Sequence, residues 1–395
     1  MRPYRLAAAL AAAAAFVTPL PGRAAEPTAS CWTLAVSPAF LTDGTAACAG
    51  YTGSLLVTTD RGRTWRSRAG ARPPSGMWGL VFSPRYAVDH TLYGIGDHLY
   101  ASTDDGATFV PVDADWAYLG HLVPYVAPAP AGVPAGDRVS FAFAKLDGYL
   151  GRATPQVVEP DLHVKRPVEG SGPVTLDFAM SPVLGTDGAA FSFVLRDGTW
   201  AVDRCDALLA CHEEVASFPK TNYVLSLPEV FWVADDWPAH RDVSVVARGG
   251  AGAVALRSTD GGETFGRWRS LERLAVTGRA DRGAPDVQVA HDGHLPNRLY
   301  ALVTRDLKDG AARGTAATLL HRSDDRGRTW RLVATHRIGD PSGPRRGRLP
   351  GPLTSYRPRV TLAPDGRLFA VADFGSDDPG VFCSTDGGST WRHTC

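Results

Sequence analysis

Thr58-Thr59-Asp60-Arg61-Gly62-Arg63-Thr64-Trp65 is the stretch whose reading decides the fold. Its pattern, S/T-x-D-x-G-x-T-W/F, returns at Ser102–Phe109, Ser258–Phe265, Ser323–Trp330 and Ser384–Trp391. Each residue type has a physical role in a tight turn between two strands. The Asp carboxylate is expected to accept hydrogen bonds from backbone amides two residues on, closing an Asx-type turn. The Gly supplies a backbone conformation that a Cβ disfavours. The Ser and Thr hydroxyls serve the remaining polar groups of the reversal. The Trp or Phe then begins the returning strand and buries a large ring. Asp60, Asp104, Asp260, Asp325 and Asp386 are therefore read as structural. Calcium needs about six to eight converging oxygens, and each copy offers one carboxylate, so no metal is expected.

The intervals from Asp to Asp are 44, 156, 65 and 61 residues, and the long one predicts two further repeats whose turns have decayed. A second signature supports this, a short apolar strand running into x-Pro. It occurs at Val36-Ser37-Pro38, Phe82-Ser83-Pro84, Val126-Ala127-Pro128, Met180-Ser181-Pro182 and Leu227-Pro228, with looser copies at Val289-Ala290 and Leu362-Ala363-Pro364. Leu34–Gly50 (LAVSPAFLTDGTAACAG) and Leu80–Gly96 (LVFSPRYAVDHTLYGIG) align without a gap. Asp60 to Asp386 spans 326 residues over six intervals, 54 per repeat. That length suits a four-stranded propeller blade.

The repeated turn resembles the Asp-box, the hairpin signature of sialidase-like and sortilin-like β-propellers. The resemblance and the repeat count imply an all-β fold: a seven-bladed β-propeller of four-stranded antiparallel blades with Asp-box hairpins. Blades are expected near 32–68, 78–113, 122–160, 174–218, 222–272, 286–335 and 358–395, as one domain over 32–395. The 42 Gly and 30 Pro residues agree with many turns, and no long segment carries helical periodicity.

Residues 1–24 have the makeup of a secretory signal peptide. Arg2 and Arg5 precede an apolar run from Leu6 to Val17, with small residues near Ala24. Residues 25–31 form a short linker. A secreted or periplasmic location and no membrane span are expected. All six cysteines follow the leader, and an even count in an oxidising compartment favours disulfides. Cys205 and Cys211 are expected to staple the hairpin of the fourth repeat, which has lost its turn motif. Cys31, Cys48, Cys383 and Cys395 lie in the first and last repeats. They pair either locally (31–48, 383–395) or across the ring (31–395, 48–383), and the sequence does not choose. No C-x2-C spacing marks a zinc site. Lys plus Arg equals Asp plus Glu at 41 each, so no global field draws nucleic acid or membrane. A monomer without cofactor is expected.

In a four-stranded blade the 1–2 and 3–4 turns share one face, so the 2–3 and 4–1 loops gather on the other. In the enzymes that the chain resembles, this other face holds the active site. Three long insertions reach it: 304–316 within the sixth repeat, 335–358 between the sixth and seventh, and 373–380 within the seventh. They bring Arg305, Lys308, Arg357, Asp373, Asp377 and Asp378, while Trp78, Trp116 and Tyr118 add aromatic surface for a sugar or a protein. The basic run from His336 to Arg359 belongs to the same region. Sialidases of the resembled fold use three arginines and a tyrosine nucleophile. The Arg-Ile-Pro that supplies their first arginine has no counterpart before the first turn, and the nearest match, Arg348-Leu349-Pro350, sits late. The eleven His residues show no H-x-x-x-H spacing. The chain is read as a non-catalytic propeller binding a protein or glycan through the face opposite the turns. The alternative is a glycoside hydrolase, sialidase-like or acting on glucans with two carboxylates, on that same face. The resembled photosystem assembly-factor propellers are binders of partner proteins.

Overall fold

The computed structural model describes residues 31, 33–50, 53–68, 77, 79–96, 98–113, 123–126, 139–147, 152–158, 165–167, 174–180, 190–196, 199–205, 211–218, 230–233, 237, 240–249, 252–275, 286–291, 295, 297–306, 316–337, 359–372 and 380–395. Within them the chain forms seven antiparallel sheets in sequence order, each a simple meander. Sheets 1 to 6 have four strands and span Thr33–Ser67, Gly79–Asp113, Val123–Pro167, Val174–Ser217, Val230–Arg267 and Asp286–Arg337. Sheet 7, Arg359–Ser384, has three strands, and its fourth is reduced to a single bridge between Cys383 and Arg392. The expected leader over 1–24 and most of the linker lie outside the described residues. No described helix is long and apolar enough to cross a membrane.

The middle strands explain how the sheets stack. Ala46–Ala49 in sheet 1 and Gly380–Ser384 in sheet 7 are buried at every position. A strand covered on both faces reads as a continuous apolar run instead of an alternation, and AACA and GVFCS read that way. Apolar layers accordingly lie between sheets. One joins sheets 4 and 5 through Phe191, Phe193, Trp200 and Val202 against Val243, Val245 and Phe231. Further layers join sheets 1 and 2, 5 and 6, and 6 and 7. The first strand of sheet 1 adjoins the first strands of both sheet 2 and sheet 7. This radial stacking of meander sheets is the arrangement of a β-propeller.

Sheets 7 and 1 share a core of their own, called the seam below. Phe369 of sheet 7 receives the edges of Trp65 and Phe40 at centroid distances of 5.8 and 6.0 Å. Val371 and Val381 meet Leu56 and Cys48 in the same cluster. The backbone N–H of Cys395 donates to the carbonyl of Gly62 at 3.0 Å, and Arg367 Nη1 donates to the carbonyl of Arg61 at 3.0 Å.

The cysteines pair locally, Cys31 with Cys48, Cys205 with Cys211, and Cys383 with Cys395. This settles the open alternative: Cys48 lies opposite Leu34, three residues after Cys31, and Cys383 bridges Arg392, three residues before Cys395. Cys205 and Cys211 are direct partners across the third and fourth strands of sheet 4.

The gapless alignment of the first two repeats has a structural counterpart. Ser37-Pro38 and Ser83-Pro84 each lead into a one-turn helix, Phe40–Asp43 and Tyr86–Asp89, which the sequence reading did not anticipate. In both, the Ser hydroxyl donates to an Asp six residues on, Ser37 to Asp43 at 2.7 Å and Ser83 to Asp89 at 2.6 Å. That Asp then accepts the amide of Thr45 or Thr91. Gly44 and His90 end the helices in the left-handed conformation.

Candidate functional site

The five repeated turns are built alike. In the Ser258 turn, the Ser258 hydroxyl donates to Asp260 Oδ1 at 2.6 Å and accepts the Gly262 N–H at 2.7 Å. Thr264 donates its N–H to Oδ1 at 3.0 Å and its hydroxyl to Oδ2 at 2.5 Å. The same four bonds recur around Asp60, Asp104, Asp325 and Asp386. This corrects one sequence expectation. The carboxylate reaches Thr four residues on instead of an amide two residues on, because the loop is wider than an Asx turn and the Thr offers two donors. Both carboxylate oxygens are thus engaged within the turn.

These bonds favour the charged carboxylate. Hydrogen bonds from Thr329 and Ser323 hold the Asp325 carboxyl down at about 2. Ser258 and Thr264 hold Asp260 lower still. At Asp104 partial burial works upward, but the bonds from Thr108 and Ser102 outweigh it and leave the carboxyl at about 2.

Each turn grips the sheet before it. A Cβ at Gly106 would lie 2.5 Å from Leu55 of sheet 1, and one at Gly262 2.5 Å from Phe191 of sheet 4. At Gly388 it would lie 2.5 Å from Leu320 of sheet 6, and at Gly62 2.6 Å from Phe369 of sheet 7. All four glycines, like Gly327, also have left-handed φ values. Glycine is required twice over, for conformation and for space. The aromatic residue of each turn packs into the same inter-sheet layer. Arginines reinforce the grip. Arg204 donates to the carbonyl of Gly261 at 3.2 Å, Arg68 to that of Asp104 at 3.2 Å, and Arg257 to that of Arg326.

The 1–2 and 3–4 turns do share a face. The amide after four of the five turn Asp residues donates to a carbonyl in the 1–2 connection: Arg61 to Gly44, Asp105 to His90, Gly261 to Arg241 and Arg326 to Asn297, at 2.8 to 3.2 Å. The opposite face is therefore reached by the 2–3 and 4–1 connections. Of the residues assigned there, Lys308, Arg357, Asp373, Asp377, Asp378, Trp78, Trp116 and Tyr118 lie outside the described residues. Arg305 has a described backbone, paired with Ala317, and its side chain is not described. The insertions are shorter than expected from sequence. Strands in sheet 6 extend to Asp306 and Arg337, and Gly380 already belongs to a strand, because ladder pairing continues into residues that read as loop.

Two charged clusters escaped the sequence reading, since their members are far apart in the chain or unremarkable in type. Asp242, almost fully buried, accepts from Arg257 at 2.6 Å and from Arg326 of the next sheet at 3.1 Å. The Arg257 guanidinium also stands 4.8 Å over the Trp268 ring. In sheet 4, Arg196 bridges buried Asp203 at 2.7 Å and exposed Glu214 at 2.8 Å. Burial pushes the Asp203 carboxyl up, against the pull of Arg196. Among the described residues, Asp203 Oδ1 and the Ser192 hydroxyl opposite it have no hydrogen-bond partner. The described residues contain no group of three or more His, Cys, Asp or Glu side chains placed to hold a metal.

No family model matches the chain, and no curated protein matches it in sequence. Among solved structures it is similar to the GH74 xyloglucanase from Xanthomonas campestris, at 14% identity and a TM-score of 0.44, over 92% of this chain and 86% of that one. It is also similar to YCF48 from Cyanidioschyzon merolae, at 15% identity and a TM-score of 0.45, over 89% and 94% of the two chains. A structure of YCF48 bound to D1 peptide gives 14% identity and a TM-score of 0.43, over 77% and 82%.

Proposed function

We propose that the chain is an exported, monomeric, closed seven-bladed propeller with Asp-box hairpins, which binds a protein or glycan without catalysis through the face opposite those hairpins. The observation that carries this reading is how the turn face uses its polar groups. The turn carboxylates and hydroxyls are engaged within each turn and the amide after four of the five Asp residues joins turn to turn, while arginines and glycines lock the turns to the sheet before. That face acts as a rigid frame. Variation in chain length is widest on the other connections, from two residues between Arg196 and Thr199 to the long stretch between Arg337 and Arg359. Loops held on a rigid scaffold are where recognition concentrates. Arg305, Lys308, Arg357, Asp373 and Asp377 are assigned as its polar contacts, and Trp78, Trp116 and Tyr118 as its aromatic ones.

The test is capture of ligand from glycan arrays and from envelope extracts, with wild type beside Trp116→Ala/Tyr118→Ala and Arg305→Ala/Lys308→Ala. Binding by the wild type that falls at least tenfold in both variants, with unchanged thermal unfolding, is the expected result. Hydrolysis of a glucan or sialoside by the wild type, abolished in Asp373→Asn/Asp377→Asn, would establish the glycosidase alternative instead.

A further inference from the structure

Three disulfides staple this chain, and two of them share one location. Cys31, Cys48, Cys383 and Cys395 all belong to the seam core, together with Trp65, Phe369 and Val381. Cys205–Cys211 lies elsewhere, on the hairpin of sheet 4. The two seam disulfides differ in what they hold. Cys31–Cys48 ties the residue two places before the first strand of sheet 1 to the second strand, where four ladder pairs already join the two strands. Cys383–Cys395 ties residues 391–395 to sheet 7, where the ladder offers one bridge, with backbone bonds of 2.7 and 3.0 Å between Cys383 and Arg392.

That short segment crosses the seam. Cys395 donates its N–H to Gly62 of sheet 1 at 3.0 Å, and its sulfur packs on the same glycine, where a Cβ would lie 2.9 Å from Sγ. His393 covers the outer edge of the last strand, its Nδ1 3.3 Å from the carbonyl of Val381 and its ring 4.1 Å from that of Phe382. The disulfides also differ in access. Cys31, Cys48, Cys205, Cys211 and Cys383 are all buried, whereas Cys395 is partly exposed. Disulfide cleavage needs a thiolate to reach one sulfur in line, so access ranks the three bonds.

We propose that Cys383–Cys395 is a redox latch on the ring, which a dithiol reductant opens first and whose opening loosens the junction of sheets 7 and 1. The reductant thiolate attacks Cys395 Sγ, the Sγ–Sγ bond breaks, and Cys383 leaves as a thiolate that takes up a proton. The second thiol of the reductant then displaces Cys395, so that the dithiol is oxidised to its disulfide and two cysteine thiols remain. Residues 391–395 then keep the single bridge, the packing of Trp391 and the His393 contacts, while Cys395 loses its covalent hold beside Gly62. The inference rests on the contacts between sheets 7 and 1 and is independent of what the opposite face binds.

The experiment is graded reduction of the native full chain with dithiothreitol, alkylation of freed thiols, and hydrogen exchange read by mass spectrometry. The first two thiols to appear are expected at Cys383 and Cys395. Exchange in Leu55–Thr58 and Leu368–Ala372 then rises roughly tenfold or more, while Val243–Gly249 is unchanged. Cys395→Ser is expected to show the same fast exchange without reductant. Prior opening of another disulfide overturns the proposal. So does a seam that is protected before reduction and stays protected once Cys383–Cys395 is open, which leaves the ring intact as a reading. A seam unprotected in the oxidised protein overturns both the latch and the closed ring.

Discussion

The hairpin of sheet 5 and the hairpin of sheet 4 solve one problem by different chemistry. Both join a third strand to a fourth, and in both an arginine precedes the first turn residue: Arg257 before Ser258, Arg204 before Cys205. Both arginines reach forward to the turn carbonyl of the next sheet. Sheet 5 then closes with a carboxylate that collects three donors, and sheet 4 closes with a covalent bond between register partners. The frame thus tolerates exchange of the closing device, provided the strand ends stay together. The hydrogen-bonded device depends on pH and on one glycine. The covalent one depends on redox conditions.

The comparison breaks most sharply at the glycine. Gly262→Ala places a Cβ at φ +85 and 2.5 Å from Phe191. Strain and overpacking together are expected to cost on the order of 3 kcal/mol, with local loss of protection where sheets 4 and 5 meet. Chemical denaturation of the variant measures it, and a cost under about 1 kcal/mol would show that the layer yields. Asp260→Ala removes the acceptor of three hydrogen bonds and is expected to cost between about 2 and 3 kcal/mol. Asp260→Asn should recover part of this, since an amide oxygen still accepts from Thr264.

In sheet 4, Cys205→Ser/Cys211→Ser opens a short loop, for which a cost of about 2 kcal/mol is expected under oxidising conditions and none after reduction of the wild type. Equal stability of oxidised wild type and variant would mean that the β ladder alone holds this hairpin. Acid has the smallest effect on any single turn. Asp325 titrates at about 2 when folded, against an ordinary value near 3.8. The stability it contributes is therefore complete above about pH 4 and disappears as pH falls through about 2. Thermal unfolding midpoints should fall over that window, and Asp325→Asn should flatten the fall.

Much of the frame was legible in the chain, because a turn is a local object. Eight consecutive residues contain the donors, acceptors and glycine that a hairpin needs, so five copies could be read without knowing their neighbours. The Cys205–Cys211 staple was legible for the same reason, since six residues separate its ends. The one-turn helices were not, because four residues carry no periodicity. The Asp242 cluster was hidden as well, since its charges come from two sheets and Arg326 is 84 residues from Asp242.

The sequence alone determined the class of the fold, the repeat and the residues that build each turn, because these depend on contacts within a few residues. Only the tertiary structure decided the disulfide partners of Cys31, Cys48, Cys383 and Cys395, and the residues that meet between sheets. The contacts between sheets join elements as much as hundreds of positions apart, as when Arg367 reaches the carbonyl of Arg61. What brings such residues together is burial of apolar surface between whole sheets, which has no range along the chain and no local signature in it.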